Sequence, residues 1–213
     1  MDVQLVKTFL NEKEPAALYE LVQPALQQAE VRDLLVAGSF ARDETYRYNC
    51  ARVLFRALEA NSGLFYPYWE RFAGMIDSPN GFYRSTAAQA IAILTAVDEE
   101  RQLDAILDTY LQMLDDEKIM VARYFTQTIH LVAEARPDLC ARIVTCLLEV
   151  ESTRHTESRK SLLKADILAA FDALYDTLQE QQQEEILAFT TKAQESESPT
   201  TRKTAKAFLE KHQ

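Results

Sequence analysis

Hydrophobic residues recur at intervals of three and four along most of the chain, the spacing that puts side chains on one face of an α-helix. The stretch that begins at Pro137 is typical, because Leu139, Ile143, Leu147 and Val150 fall on the same side. The pattern predicts four amphipathic helices, at 64–75, 99–114, 137–151 and 178–194.

A second set of helical stretches shares a more specific pattern. In each of them a turn with Asp or Ser leads into a basic residue, then a small residue and a Leu/Ile stripe. The clearest copy has Asp77 in the turn, Arg84 after it, and Ala87, Ala88 and Ile91 in the stripe. A period near 40 residues corresponds to two helices and two turns, the unit of a helical repeat array. The basic residues of the copies are separated by 37, 39, 41 and 38 positions, and they are Arg47, Arg84, Arg123, Lys164 and Arg202.

The turn, the basic residue and the Ala-rich run at 77–94 resemble the second helix of a HEAT repeat, and the resemblance extends over 40–211. It implies an all-α fold, a right-handed α–α superhelix of about five HEAT-like helical hairpins. Two copies depart from the family pattern, because Thr126-Gln127 replaces the small pair and Lys164 replaces Arg. The resemblance also implies a ladder of turn Asp and helix-start Arg residues between neighbouring repeats, formed by Asp43, Arg47, Asp77, Arg84, Asp116 and Arg123.

Residues 1–38 also follow helical spacing, and we expect them to form an N-terminal helical cap on the array. Pro15 stands where the second of these helices would start, a position that tolerates a missing amide hydrogen. Pro24 lies inside that helix and predicts a kink or a break, since forcing it straight would cost about 3 kcal/mol. No Gly/Ser linker or charge block interrupts the chain, so we predict one domain over 1–213, with repeats in 39–213.

Composition and charge limit the fold class, the cellular location and the kinds of binding partner that we expect. Four glycines and six prolines leave few residues for the turns of a sheet protein. The net charge of −10 repels phosphate backbones and anionic membranes at long range. The most apolar stretch, 87–97, is shorter than the roughly 20 residues that span a bilayer, and residues 1–7 lack a secretory signal pattern. Cys50, Cys140 and Cys146 lack metal-finger spacing and predict small buried side chains in a reducing compartment. We therefore expect a cytoplasmic protein that binds neither membranes nor nucleic acid.

The sequence carries no recognisable catalytic motif. His130 has Glu134 one helical turn later, a pair that indicates a surface hydrogen bond more often than a metal site. The segment 37–41 lacks the second glycine of a nucleophile turn and is predicted to be a helix end. We therefore expect no catalytic residue, no metal site and no cofactor.

A dense aromatic group follows the first copy of the repeat. Phe65, Trp69 and Phe72 are separated by four and three residues, the spacing of one helix face, so they are predicted to lie in the core. Tyr66 and Tyr68 fall outside that stripe and are predicted to be partly exposed.

Polar residues on the second helices supply the candidate binding surface. The resemblance implies that second helices line the concave face of the superhelix, where a peptide or protein partner would bind. A solvated face with ordinary ion pairs, such as that of Arg56 with Glu59, remains the alternative interpretation. The candidate contact residues lie off the core stripe, and they are Arg52, Arg56, Gln89, Gln127 and His130.

Two other classes of function stay open at this point. HEAT-like folds include enzymes such as DNA glycosylases and bilin lyases. The acidic charge and the position of Trp69 in an apolar stripe oppose the glycosylase version. The chain could also be a structural part of a larger complex, although its polar ending at 203–211 is typical of a solvated cap.

Overall fold

Helices account for all regular structure in the computed structural model, which describes residues 3–11 and 15–212 and has no strand in those ranges. The all-α prediction is therefore confirmed. The chain forms two compact units, residues 1–100 and residues 101–213. The interpretation of 1–213 as one continuous domain stays a prediction.

The first unit begins with short helices and continues with longer ones. Its 3₁₀ segments are Tyr19–Leu21, Ser62–Tyr68 and Thr95–Val97. Its α-helices are α1 (Val3–Asn11), α2 (Pro15–Leu18), α3 (Val22–Gln27), α4 (Ala29–Gly38), α5 (Glu44–Ala60), α6 (Trp69–Ala73) and α7 (Gly81–Leu94).

The prolines of the N-terminal segment act as predicted. Pro15 is the first residue of α2, where its missing amide hydrogen leaves no carbonyl unpaired. The chain changes to 3₁₀ geometry just before α3, whose third residue is Pro24. A straight helix would press the Pro24 ring against the carbonyl of Glu20, so the predicted break is confirmed. Gly38 ends α4, which confirms that 37–41 is a helix end.

The aromatic group of the first unit divides as its spacing predicts. Phe65, Trp69 and Phe72 have at most 2 % of their surface exposed, so they belong to the core. Tyr66 and Tyr68 are half-buried, and each hydroxyl donates a hydrogen bond to a carboxylate of the same unit.

The second unit contains six α-helices in its described residues, and 3₁₀ turns follow α8, α10 and α11 directly. The long helices α9, α11 and α13 pack side by side, with α10 against α9 and α12. Its α-helices are α8 (Leu103–Leu111), α9 (Ile119–Ala135), α10 (Cys140–Leu148), α11 (Glu157–Leu174), α12 (Glu180–Ala193) and α13 (Pro199–His212). Its 3₁₀ segments are Gln112–Asp115, Pro137–Leu139, Glu149–Ser152 and Tyr175–Thr177.

The fourth residue of α4, α5, α7 and α13 is an arginine that reaches back to the preceding turn. Turn carbonyls next to a helix lack intrahelical partners, and a long side chain in the first turn can satisfy them. The recurrence of basic residues along the sequence thus has a local physical cause. Each guanidinium donates to the backbone carbonyl six residues earlier, over 2.7 to 3.5 Å, in the pairs Arg32 with Leu26, Arg47 with Ala41, Arg84 with Ser78 and Arg202 with Ser196.

In two copies of the repeat, the basic residue that the sequence assigns is not the fourth residue of its helix. Arg123 is the fifth residue of α9, and it pairs with Asp166 instead of a turn carbonyl. Lys160 is the fourth residue of α11, and its ammonium donates to the carbonyl of Glu151 at 2.7 Å. Lys160 therefore occupies the position of the repeat's basic residue, and the assignment of Lys164 to that position is wrong by one helical turn.

The cysteines differ from one another in burial. All three are free thiols. Cys50 is fully buried on α5, as predicted, whereas Cys140 and Cys146 are half-buried on α10. The prediction of buried cysteines is therefore confirmed for Cys50 alone.

A network of alternating charges joins the start of α8 to the turn after α9. Arg136, whose side chain is 9 % exposed, donates to Asp104 at 2.7 Å and to Asp138 at 2.8 Å. Arg101 bonds the same two carboxylates, at 3.0 and 2.7 Å. The hydrogen bonds from Arg136 are the main reason that the pKa values of both carboxyl groups lie below their usual range.

Gly38→Ala should destabilise the first unit by about 1–3 kcal/mol through overpacking. An added methyl would lie 2.3 Å from Cys50 Sγ and 2.9 Å from the Tyr46 ring, so α4 and α5 would have to separate. Urea unfolding followed by circular dichroism measures the change. Gly63→Ala is the control, because its methyl would find only an ordinary contact with Asn61 and should shift stability by less than about 0.5 kcal/mol. Equal stability of the two variants would contradict the close contact.

Arg136→Met should lower the free energy of unfolding at neutral pH by about 1–2 kcal/mol, because it removes hydrogen bonds to two carboxylates. Since the folded pKa of each carboxyl group is lowered, their pairing stabilises the protein above the ordinary value of 3.8 and is lost as the pH falls through and below it.

The difference between wild type and Arg136→Met should therefore shrink as the pH falls from about 7 to about 2 in urea titrations, with most of the loss below the ordinary value of 3.8. Lys206→Met is the control, because its exposed pair with Glu210 should contribute little at any pH. A difference that stays constant over this pH range would show that the pairing contributes no stability.

Candidate functional site

The predicted contact residues divide between the two units. Arg52, Gln89 and Gln127 are each the ninth residue of a helix, counted from the starts of α5, α7 and α9. These three positions are thus equivalent in the repeat. Arg52 and Arg56 are exposed on the same helix, whereas His130 is half-buried on α9. A single track through all five residues stays a prediction.

The two glutamines are already engaged within their own units. Gln89 is half-buried, and its amide donates to the carbonyl of Ser85 on the same helix at 3.0 Å. Gln127 is exposed and donates to Asp166 on α11 at 3.1 Å. Neither amide presents a full set of unused donors to a ligand, so the arginines are the stronger candidates.

The acidic residues of the implied ladder lie at the N-cap of a helix or in the turn before one. Asp43 accepts a hydrogen bond from the amide of Tyr46 at 2.8 Å, which caps α5. Asp116 accepts from the amide of Lys118 at 2.7 Å, just before α9. Asp77 is exposed in the turn before α7. The ladder as a set of Asp–Arg pairs stays a prediction.

Several ion pairs join neighbouring repeats in the second unit, and one of them involves a residue of the implied ladder. Arg123 donates two hydrogen bonds to Asp166, at 2.8 and 3.2 Å, and so connects α9 with α11. Sequence reasoning missed Asp166 as the partner. The separation of 43 positions, close to the repeat period, is the signal that could have found it.

The exposed side of α5 carries a mixed aromatic and cationic surface. Tyr48, Arg52 and Arg56 follow one another at intervals of four residues, and all three are exposed. Tyr48 has 48 % of its surface exposed, and Tyr19, which lies beside Arg56, has 45 %. The tyrosine–arginine surface comprises Tyr19, Tyr48, Arg52, Arg56 and Phe82.

The Tyr48 end of this surface is held in place by Arg47. The Tyr48 and Phe82 rings meet edge to face, with centroids 4.5 Å apart. The guanidinium carbon of Arg47 lies 4.7 Å from the Phe82 centroid and 5.6 Å from that of Tyr48. Its hydrogen bond to Ala41 fixes Arg47, so the two rings form a preorganised apolar shelf.

The two arginines of the surface have different environments. Arg56 pairs with Glu59 at 3.0 Å, and this hydrogen bond is the main reason that the pKa of Arg56 is raised. Its guanidinium carbon lies 5.8 Å from the Tyr19 centroid. Arg52 makes no hydrogen bond or ion pair with any residue in the described ranges. Arg56 thus has the ion pair that is expected of a solvated helix face, whereas Arg52 has no such pair within the described residues.

The second unit contains an open groove of about 640 Å³ between α8, α10 and the turns that follow them. Arg142 pairs with Asp108 across it, and Arg154 pairs with Asp115 at 3.1 Å. Burial raises the pKa of the Cys146 thiol in this groove to about 12. The thiol is therefore protonated at neutral pH and is a poor nucleophile.

The described residues contain neither a metal-binding group nor a membrane-spanning helix. No group of three or more His, Cys, Asp or Glu side chains in residues 3–11 and 15–212 is arranged to hold a metal ion. Over the same residues, none of the helices combines the length and apolar character needed to cross a membrane.

Two solved structures share the arrangement of helices. One is a designed armadillo repeat protein, which superposes with a TM-score of 0.52 and 18% identity and matches the full length of both chains. The other is an engineered protein from a structural genomics programme, with a TM-score of 0.50 and 18% identity, where the match covers 100% of this chain and 97% of the other. No family model matches the chain, and a search of curated proteins found no match. The chain has an armadillo/HEAT-like helical repeat fold, as its sequence predicts.

Proposed function

We propose that the chain is a non-catalytic interaction module that binds a peptide or protein segment on the exposed side of its second helices. The observation that carries this proposal is Arg52, an exposed arginine that has no partner among residues 3–11 and 15–212 of an acidic chain, one helical turn from the exposed ring of Tyr48. Tyr and Arg are enriched among the residues that dominate binding energy at protein interfaces.

The repeat fold suits such a role. Stacked helical hairpins offer an extended surface in which each unit adds contact area, and none of that area needs a reactive group. Arg52 and Gln89 occupy equivalent positions on the two longest helices of the first unit, so a partner that follows the repeat there would meet them in turn.

The enzymatic alternatives find less support in the side chains. Burial raises the pKa values of the Cys50 and Cys146 thiols to about 12, which leaves both protonated at neutral pH. Trp69, the only tryptophan, is 2 % exposed and cannot stack on a nucleobase. Free thiols persist in reducing compartments, so we keep the cytoplasm as the proposed location.

Affinity capture on the immobilised full chain, followed by reconstitution with the purified partner, tests the proposal. The Arg52→Glu/Arg56→Glu variant should bind that partner at least about tenfold more weakly in isothermal titration calorimetry, because both cations of the surface are reversed.

Lys203→Glu/Lys206→Glu on α13 is the matched control. It changes the net charge by the same amount, and it likewise combines one exposed cation that has no partner among the described residues with one that pairs with an acid of the next turn. Its affinity should remain close to that of wild type. Failure of every captured protein to bind when purified would reject the proposed function, and equal weakening by both variants would reject the placement on α5.

A further inference from the structure

The spacing of the tyrosine–arginine surface suits a ligand in an extended conformation. Arg52 and Arg56 are four residues apart, which is about 6 Å along the axis of α5. Alternate side chains of an extended peptide are about 6.6 Å apart. Two acidic residues at alternate positions of an extended segment would therefore lie opposite the two guanidinium groups.

The charge of the surface sets the sign of the ligand. Helix α5 carries Arg47, Arg52 and Arg56 against Glu44 and Glu59, in a chain whose net charge is −10. Arg47 already lies over two rings and bonds turn carbonyls, and Glu59 bonds Arg56. Exposed ion pairs contribute little to stability, so Arg56 can exchange Glu59 for a ligand carboxylate at small cost.

The extent of the positive surface limits the size of an anionic ligand. The two exposed arginines, with Arg47 already engaged by the rings at one end, form a small positive area, and the acidic chain as a whole repels a long polyanion. Charges beyond about 8–10 Å are screened at physiological salt, so a short acidic segment experiences mainly the arginines. A nucleic acid strand would extend well past them.

The apolar shelf adds a second requirement. Tyr48 and Phe82 meet edge to face, and the Tyr48 ring remains about half exposed. The shelf lies one helical turn from Arg52, on the same face of α5. A ligand that pairs with Arg52 can thus place a neighbouring apolar side chain on the two rings. Burial of an aromatic or leucine side chain there would contribute favourable binding free energy.

We propose that the tyrosine–arginine surface binds a short, extended, acidic segment of another protein, with carboxylates on Arg52 and Arg56 and an aromatic or leucine side chain on Tyr48 and Phe82. This inference rests on the proposed function and specifies the chemistry of the partner. It assigns the ionic contacts to α5 and the apolar contact to the α5–α7 pair.

Selection from a random peptide display library against the full chain tests this inference. The pool retained by wild type should be enriched in Asp and Glu and should contain an aromatic or leucine beside the acidic pair. The Arg52→Glu/Arg56→Glu variant should lose that pool, and Lys203→Glu/Lys206→Glu should keep it. Circular dichroism confirms that the helical content of each variant is unchanged.

A synthetic peptide with the selected consensus then locates the contacts by fluorescence anisotropy. Its affinity should fall at least about tenfold in Arg52→Glu/Arg56→Glu and about threefold to tenfold in Tyr48→Ala. Added salt should weaken the binding to wild type and should have less effect in the charge-reversed variant, because two ionic contacts are then missing.

The possible failures are distinguishable from one another. A specific pool that is not acidic, or that survives Arg52→Glu/Arg56→Glu, overturns this inference and leaves the proposed function intact. A library that yields no specific pool, together with no partner in the capture experiment, overturns both. Tighter binding of a random oligonucleotide than of the consensus peptide, or a wild-type dimer in light scattering that the variant lacks, assigns the surface to another occupant and rejects the acidic segment.

Discussion

Burial of one side of α5 is the constraint on which the first unit depends. Val53, Leu54, Ala57 and Leu58 have no exposed surface, so this helix cannot turn without opening the core. The opposite side is consequently held toward solvent, with its arginines at fixed positions. The apolar stripe that stabilises the fold therefore also determines which side of α5 presents arginines to a ligand.

Sequence periodicity predicted where most of the helices lie and much of the core, but not the 3₁₀ segments. The stretch 64–75, predicted as one helix, is the end of a 3₁₀ segment followed by the short α6. The three-and-four spacing predicts Phe65, Trp69 and Phe72 as buried, and they are. Equivalent positions could also be predicted, since Arg52 and Gln89 occupy the same place in successive helices. Both results follow from local geometry, which a helix imposes on any sequence that adopts it.

Contacts between helices were harder to predict, because they depend on packing that the sequence does not display. The partner of Arg123 is Asp166, 43 positions away, and not a turn aspartate. The shelf of Tyr48 and Phe82 likewise needs α5 and α7 to be adjacent. Counting the repeat from its basic residues also hides errors of one helical turn. Lys160 and Lys164 lie one turn apart on α11, and either of them keeps the period near 40 residues, so the sequence alone does not tell which one belongs to the repeat.

The different burial of the three thiols gives each unit its own chemical reporter. Cys50 lies against Gly38 in the first unit, protonated and covered, so an alkylating reagent reaches it only when α4 and α5 part. Cys140 and Cys146 belong to the second unit and lie nearer its surface. Mass spectrometry of the alkylated chain could therefore time the opening of one unit independently of the other, with no engineered label.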